Sequence, residues 1–82
     1  MKYPLYSRIA LAADLPAERL RRGDVATVVE FHERIAGQEP GYSLEVFNAL
    51  GETAAVVTVR ESQIEPLRAD ELLSVRPLST AA

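Results

Sequence analysis

The chain contains no cysteine and no tryptophan, and only one histidine and one methionine among 82 residues. Without cysteine there are no disulfide staples and no thiolate metal sites. Three tyrosines and two phenylalanines are the whole aromatic content, so the core must be built mainly from Val, Leu, Ile and Ala. Long apolar runs are missing too: the longest near the start, Ile9 to Ala13, has five residues. A signal peptide needs an apolar stretch of about 7–15 residues and a membrane span about 20. Neither is expected, and the expected compartment is the cytoplasm. Nor is there an excess of positive charge, since nine Lys and Arg face twelve Asp and Glu for a net charge of -3. Phosphate neutralisation supplies most non-specific nucleic-acid affinity, so this balance disfavours a nucleic-acid partner.

What is present is ordinary globular composition, 48% hydrophobic and 26% charged, unlike the low hydrophobicity and high net charge of disordered segments. The length suits one domain. Glycine and proline fall at Pro4, Pro16, Gly23, Gly37, Pro40-Gly41, Gly51, Pro66 and Pro77, mostly 7 to 15 residues apart. That spacing fits short strands better than helices of average length.

Strands are predicted at Ser7–Ala12, Asp24–His32, Gly41–Phe47 and Thr53–Val59. The third has the cleanest alternation, with Tyr42, Leu44 and Val46 on one face and Ser43 and Glu45 on the other. The second also satisfies a helical template through Val25, Val28, Val29 and His32, but the β-branched run Thr27-Val28-Val29 favours a strand. Asp14 to Glu18 similarly reads as a helix start ended by Gly23. Asn48 and Gly51 mark a tight antiparallel hairpin between the third and fourth strands. A helical turn at Glu61–Ile64 and a brief edge strand at Glu65–Leu67 follow, Pro66 being confined to an edge. Ala69–Val75 contains helix formers and is expected to form a short C-terminal helix, with Arg76–Ala82 fraying. The expected core is Val28, Leu44, Val46, Val57, Val59 and Ile64.

This order of elements resembles the all-β, SH3-like small barrel of about five antiparallel strands. Arg22-Gly23-Asp24-Val25-Ala26-Thr27-Val28-Val29-Glu30 is similar to the Gly-Asp strand start of its KOW-type members. Taken with Tyr3-Pro4-Leu5-Tyr6-Ser7, Tyr42 to Phe47, Leu50 to Thr53 and Ile64 to Leu67, it resembles a small bacterial family, domain of unknown function 4926, over about residues 3 to 67. The chain departs from that family's usual acidic segment before Gly41, carrying Glu33 to Pro40 instead. The resemblance implies a barrel over 1–67 with a C-terminal extension at 68–82. It also implies a short bacterial protein of a kind sometimes encoded beside a small partner, as in toxin–antitoxin pairs. It offers no catalytic residue.

No residue pattern supplies one either. A nucleophile–base–acid set needs three converging groups, and no spacing singles out a serine or aspartate to accompany His32. Glu30 shares a strand face with His32, and Glu30 and Glu33 form a carboxylate pair, yet such groups are ordinarily solvated. No catalytic residue, cofactor or metal is expected. The candidate partner contacts are Tyr6, Phe47 and the basic cluster Arg19, Arg21 and Arg22. Phe47 tends outward if Leu44 and Val46 face the core. Tyr3, Tyr6 and Tyr42 either close the barrel or meet a partner. The arginines either grip phosphate or an acidic partner surface, or form a solvated loop that keeps a sheet edge from pairing. The reading that follows is a non-catalytic protein-interaction module, an antitoxin-like or accessory partner of a neighbouring gene product, or a homo-oligomer. A KOW-like nucleic-acid or ribosome-associated binding protein is the alternative.

Overall fold

The computed structural model describes residues 1–34, 37 and 39–78. The extension beyond Leu78 and part of the Glu33–Pro40 segment therefore lie outside the described residues. The strands are β1 (Arg8–Leu11), β2 (Val25–His32), β3 (Gly41–Phe47), β4 (Thr53–Arg60) and β5 (Ile64–Pro66). Single 3-10 turns occupy Pro16–Glu18 and Glu61–Gln63. All strands join one antiparallel sheet in the order β4-β3-β2-β1-β5. No helix among the described residues is long and apolar enough to cross a membrane.

The all-β prediction holds, and so does each of the five strands to within a residue or two. The expected barrel needs correction. The edges β4 and β5 do not pair with each other, so the sheet stays open along a path compatible with the SH3-like order. β5 has three residues, ends at Pro66, which lacks an N–H donor, and already pairs with β1. The C-terminal helix also does not form. Glu71 N donates to the Arg68 carbonyl at 3.1 Å, and the chain then continues without regular structure to Pro77. With Leu72, Leu73 and Val75 all exposed, no apolar stripe packs on the body, and a short isolated helix is marginal in water.

β2 is a strand, as its β-branched run demands, but its register shifts between Val28 and Glu30. Val28 lies opposite Leu44 and Glu30 opposite Ser43, which leaves Val29 as the extra residue of a bulge. Strict alternation would send Glu30 and His32 to the same face as buried Val28. The bulge turns both outward and brings Phe31 inward, opposite Tyr42.

The inward face carries Ile9, Leu11, Ala26, Val28, Tyr42, Leu44, Val46, Val57, Val59 and Ile64, all buried. All six core residues expected from the alternation are among them. Burying one such aliphatic side chain stabilises the fold by about 1.5–3 kcal/mol. Tyr42 is fully buried, with the Tyr3 and Phe31 rings at 5.5 and 5.3 Å. Tyr3 and Tyr42 thus fill the body. The hairpin after β3 is fixed by Asn48, whose Oδ1 accepts from Leu50 N and Glu52 N, and by Gly51 at φ 84°.

Candidate interaction surface

The outward face of the central strands carries a polar row. His32 Nε2 is 2.8 Å from Ser43 Oγ, which is 3.2 Å from Thr58 Oγ1. Register places Glu30, Ser43 and Thr58 side by side on β2, β3 and β4. Glu30 Oε1 lies 3.8 Å from the same His32 Nε2, so the carboxylate–imidazole pair suggested by the sequence does come together.

Its geometry is not that of a proton relay. A relay needs the acid on one ring nitrogen and the nucleophile on the other, whereas here both crowd onto Nε2. Ser43 is also buried and bonded on both sides. The row satisfies polar groups on a half-covered sheet face. Among the described residues, no cluster of three or more His, Asp or Glu side chains could hold a metal ion.

At the hairpin end of the same face the chemistry changes. Phe47, Leu50 and Val56 are 43%, 84% and 62% exposed. Val56 lies opposite Glu45, and Phe47 is two residues further along that face of β3. Phe47 thus points outward from a strand end, as the alternation predicted. Tyr6 is 74% exposed, with a backbone at φ 67°, and its N–H donates to the Val28 carbonyl at 2.6 Å. It does not close the body. Tyr6 precedes β1 and pairs at the level of Val28, whereas Phe47 lies beyond the Thr27–Glu45 pairing. The two are therefore not neighbours along one strand end.

Arg19, Arg21 and Arg22 occupy the β1–β2 loop with exposed side chains. The loop's backbone is pinned by carboxylates: Arg21 N donates to Asp24 Oδ2 at 2.7 Å and Arg22 N to Asp14 Oδ1 at 2.9 Å. Residues 14–24 thus hold three carboxylates, Asp14, Glu18 and Asp24, against three guanidiniums, and the loop is formally neutral. The basic cluster is visible in the sequence only if these acids are read separately.

Sequence reasoning missed Arg76, assigned to a fraying tail. Its guanidinium grips both oxygens of Asp24, with Nε at 3.0 Å from Oδ1 and the second nitrogen on Oδ2, and also donates to the Arg19 carbonyl at 3.2 Å. Burial alone would raise the Asp24 pKa. The Arg76 hydrogen bonds, the Arg21 amide and the two neighbouring positive charges outweigh it and hold the carboxyl below its ordinary value. No sequence spacing could reveal a pair 52 residues apart.

Sequence reasoning also missed how the Tyr42 hydroxyl is used. It accepts from Lys2 N at 2.9 Å and Tyr3 N at 3.2 Å, and donates to Glu61 Oε2 at 2.7 Å. Burial first, and the adjacent Glu61 carboxylate second, raise its pKa above the ordinary phenol value.

Comparison with known proteins adds a family to this geometry but no activity. No curated protein and no solved structure matches the chain. A family model described as Domain of unknown function (DUF4926) matches residues 5–66, the span from just before β1 through β5. That match covers most of the chain, which therefore belongs to the DUF4926 family.

Proposed function

We propose that this chain is a non-catalytic protein-interaction module of the bacterial cytoplasm, an antitoxin-like or accessory partner of a neighbouring gene product. The observation that carries the reading is the hairpin end of the outward face, where Phe47, Val56 and Leu50 stand exposed around Glu45 and Thr53. Exposed aromatic and aliphatic side chains grouped at a strand end suit a protein contact, in which aromatics are enriched. The formally neutral β1–β2 loop favours a protein over a nucleic acid as partner, because few phosphates could be neutralised there. The shared use of His32 Nε2 supports a non-enzymatic role.

Affinity purification from the native host with mass spectrometry tests the reading. A specific partner should co-purify, and Phe47→Ala should weaken that complex while the circular dichroism spectrum stays unchanged. Arg22→Glu should weaken it as well if the loop joins the contact. Recovery of the chain alone, or a complex indifferent to Phe47→Ala, would remove the support for this surface.

A further inference from the structure

On the opposite side from β4, an open groove of about 380 Å³ lies between the N-terminal segment, β1 and the end of β5. Its walls include Lys2, Tyr3, Pro4, Arg8, Pro66 and Leu67. Two cations line it and no carboxylate does. Among the described residues neither Lys2 nor Arg8 makes an ion pair. The groove is thus apolar and positively charged in a protein whose net charge is -3. A second open groove, about 290 Å³ beside the first 3-10 turn, has Asp14 and Glu18 among its lining residues instead.

The same chain carries a segment with the matching chemistry. Asp70-Glu71-Leu72-Leu73 follows β5, with Leu72 96% and Leu73 63% exposed. Among the described residues its two carboxylates are engaged only by Arg68, Asp70 by the guanidinium and Glu71 by the backbone N–H. Exposed contacts of this kind are weak and readily exchanged. The segment does not reach the groove of its own chain. The Arg68–Glu71 turn reverses the chain just after Leu67, and Arg76 then fastens it to Asp24.

We propose that the Lys2–Arg8 groove receives the Asp70–Leu73 segment of a second copy. The two copies exchange tails about a two-fold axis, so that each groove is filled and each exposed Leu72-Leu73 pair is covered. An isologous exchange uses every contact twice, which offsets the small size of one groove. The carboxylates meet Lys2 and Arg8, and the leucines meet Tyr3, Pro4 and Leu67. This contact is independent of Phe47, so either contact can fail without the other.

Sedimentation velocity on the full chain decides it, from about 1 µM to about 1 mM and at low and high salt. The mass should move from monomer to dimer with concentration, and less readily in high salt. Leu73→Asp and Arg8→Glu should each weaken the dimer by about tenfold or more. Combining Arg8→Glu with Glu71→Arg should restore most of the loss. Leu73 is 63% exposed and lies outside the core, so its variant remains informative even if Arg8→Glu perturbs β1. A monomer at every concentration overturns the proposal, as does a dimer that ignores both single variants or a charge exchange that restores nothing.

Discussion

The N-terminal segment is tied to the sheet by a buried aromatic, and the C-terminal segment by one partly exposed guanidinium. At the first, Tyr3 is itself buried and packs edge-on against Tyr42, whose hydroxyl accepts from two backbone amides. At the second, Arg76 holds Asp24 and the Arg19 carbonyl, but residues 68–75 are all exposed. Apolar burial works without regard to ionisation, while an ion pair near the surface depends on pH and salt. The first attachment should therefore fail only with the fold, and the second should open while the fold persists.

The largest effect is expected at the shared hub. Tyr42→Ala removes a fully buried ring from between Tyr3 and Phe31 and should cost about 3–5 kcal/mol in denaturant unfolding. In a domain this small that approaches the whole stability. A loss near that of a surface substitution would mean the N-terminal segment is held by something else.

Tyr42→Phe isolates the polar half of the same attachment. The ring stays, while Lys2 N, Tyr3 N and Glu61 lose their common partner. Leaving such groups unsatisfied should cost about 1–3 kcal/mol. Amide exchange at Tyr3 should quicken by more than the global loss explains. Equal quickening everywhere would show that the hydroxyl does not hold the segment locally.

The contrast between the ends also shows what the sequence could and could not disclose. β3 was legible because Tyr42, Leu44 and Val46 alternate with polar neighbours over a strand covered on one face, and its bounds match the prediction. The hairpin was legible because Asn48 and Gly51 perform local chemistry. The bulge at Val29 was not, because a shift of register is set by the pairing partner and not by the strand itself. Strict alternation alone sends Glu30 and His32 toward the core. Exposure of Phe47 followed from parity, whereas exposure of Tyr6 depends on a backbone at φ 67° that no pattern announces. The Arg19–Arg22 cluster was seen, but not the balancing roles of Asp14 and Asp24, nor Arg76. Contacts made by side chains far apart in sequence need the topology first.

Removing the C-terminal attachment should be far milder. Arg76→Ala is expected to leave the denaturant midpoint unchanged within error, since residues 68–75 are exposed and none belongs to the core. The heteronuclear nuclear Overhauser effect of residues 72–76 should fall toward that of a free tail. A clear drop in midpoint would show that the tail supports the β1–β2 loop.

The smallest change needs no mutation. Asp24 is held below its ordinary pKa of 3.8, so the folded, tail-docked state favours its ionised form. For a carboxyl depressed in this way, the contribution is complete above the ordinary value and disappears as pH falls through the lower, docked value. The tail should therefore remain fastened at neutral pH and come loose in acid below the ordinary value. Amide resonances of Leu73 to Arg76, followed from about pH 6 to about pH 2, should report that release before the sheet resonances move. In Asp24→Asn the tail should already be loose at neutral pH and show no further acid transition. High salt should weaken docking in the wild type, because the pair is partly exposed. If the tail and sheet instead let go at the same pH, or if Asp24→Asn retains the acid transition, the two attachments are not the independent devices that their geometry describes.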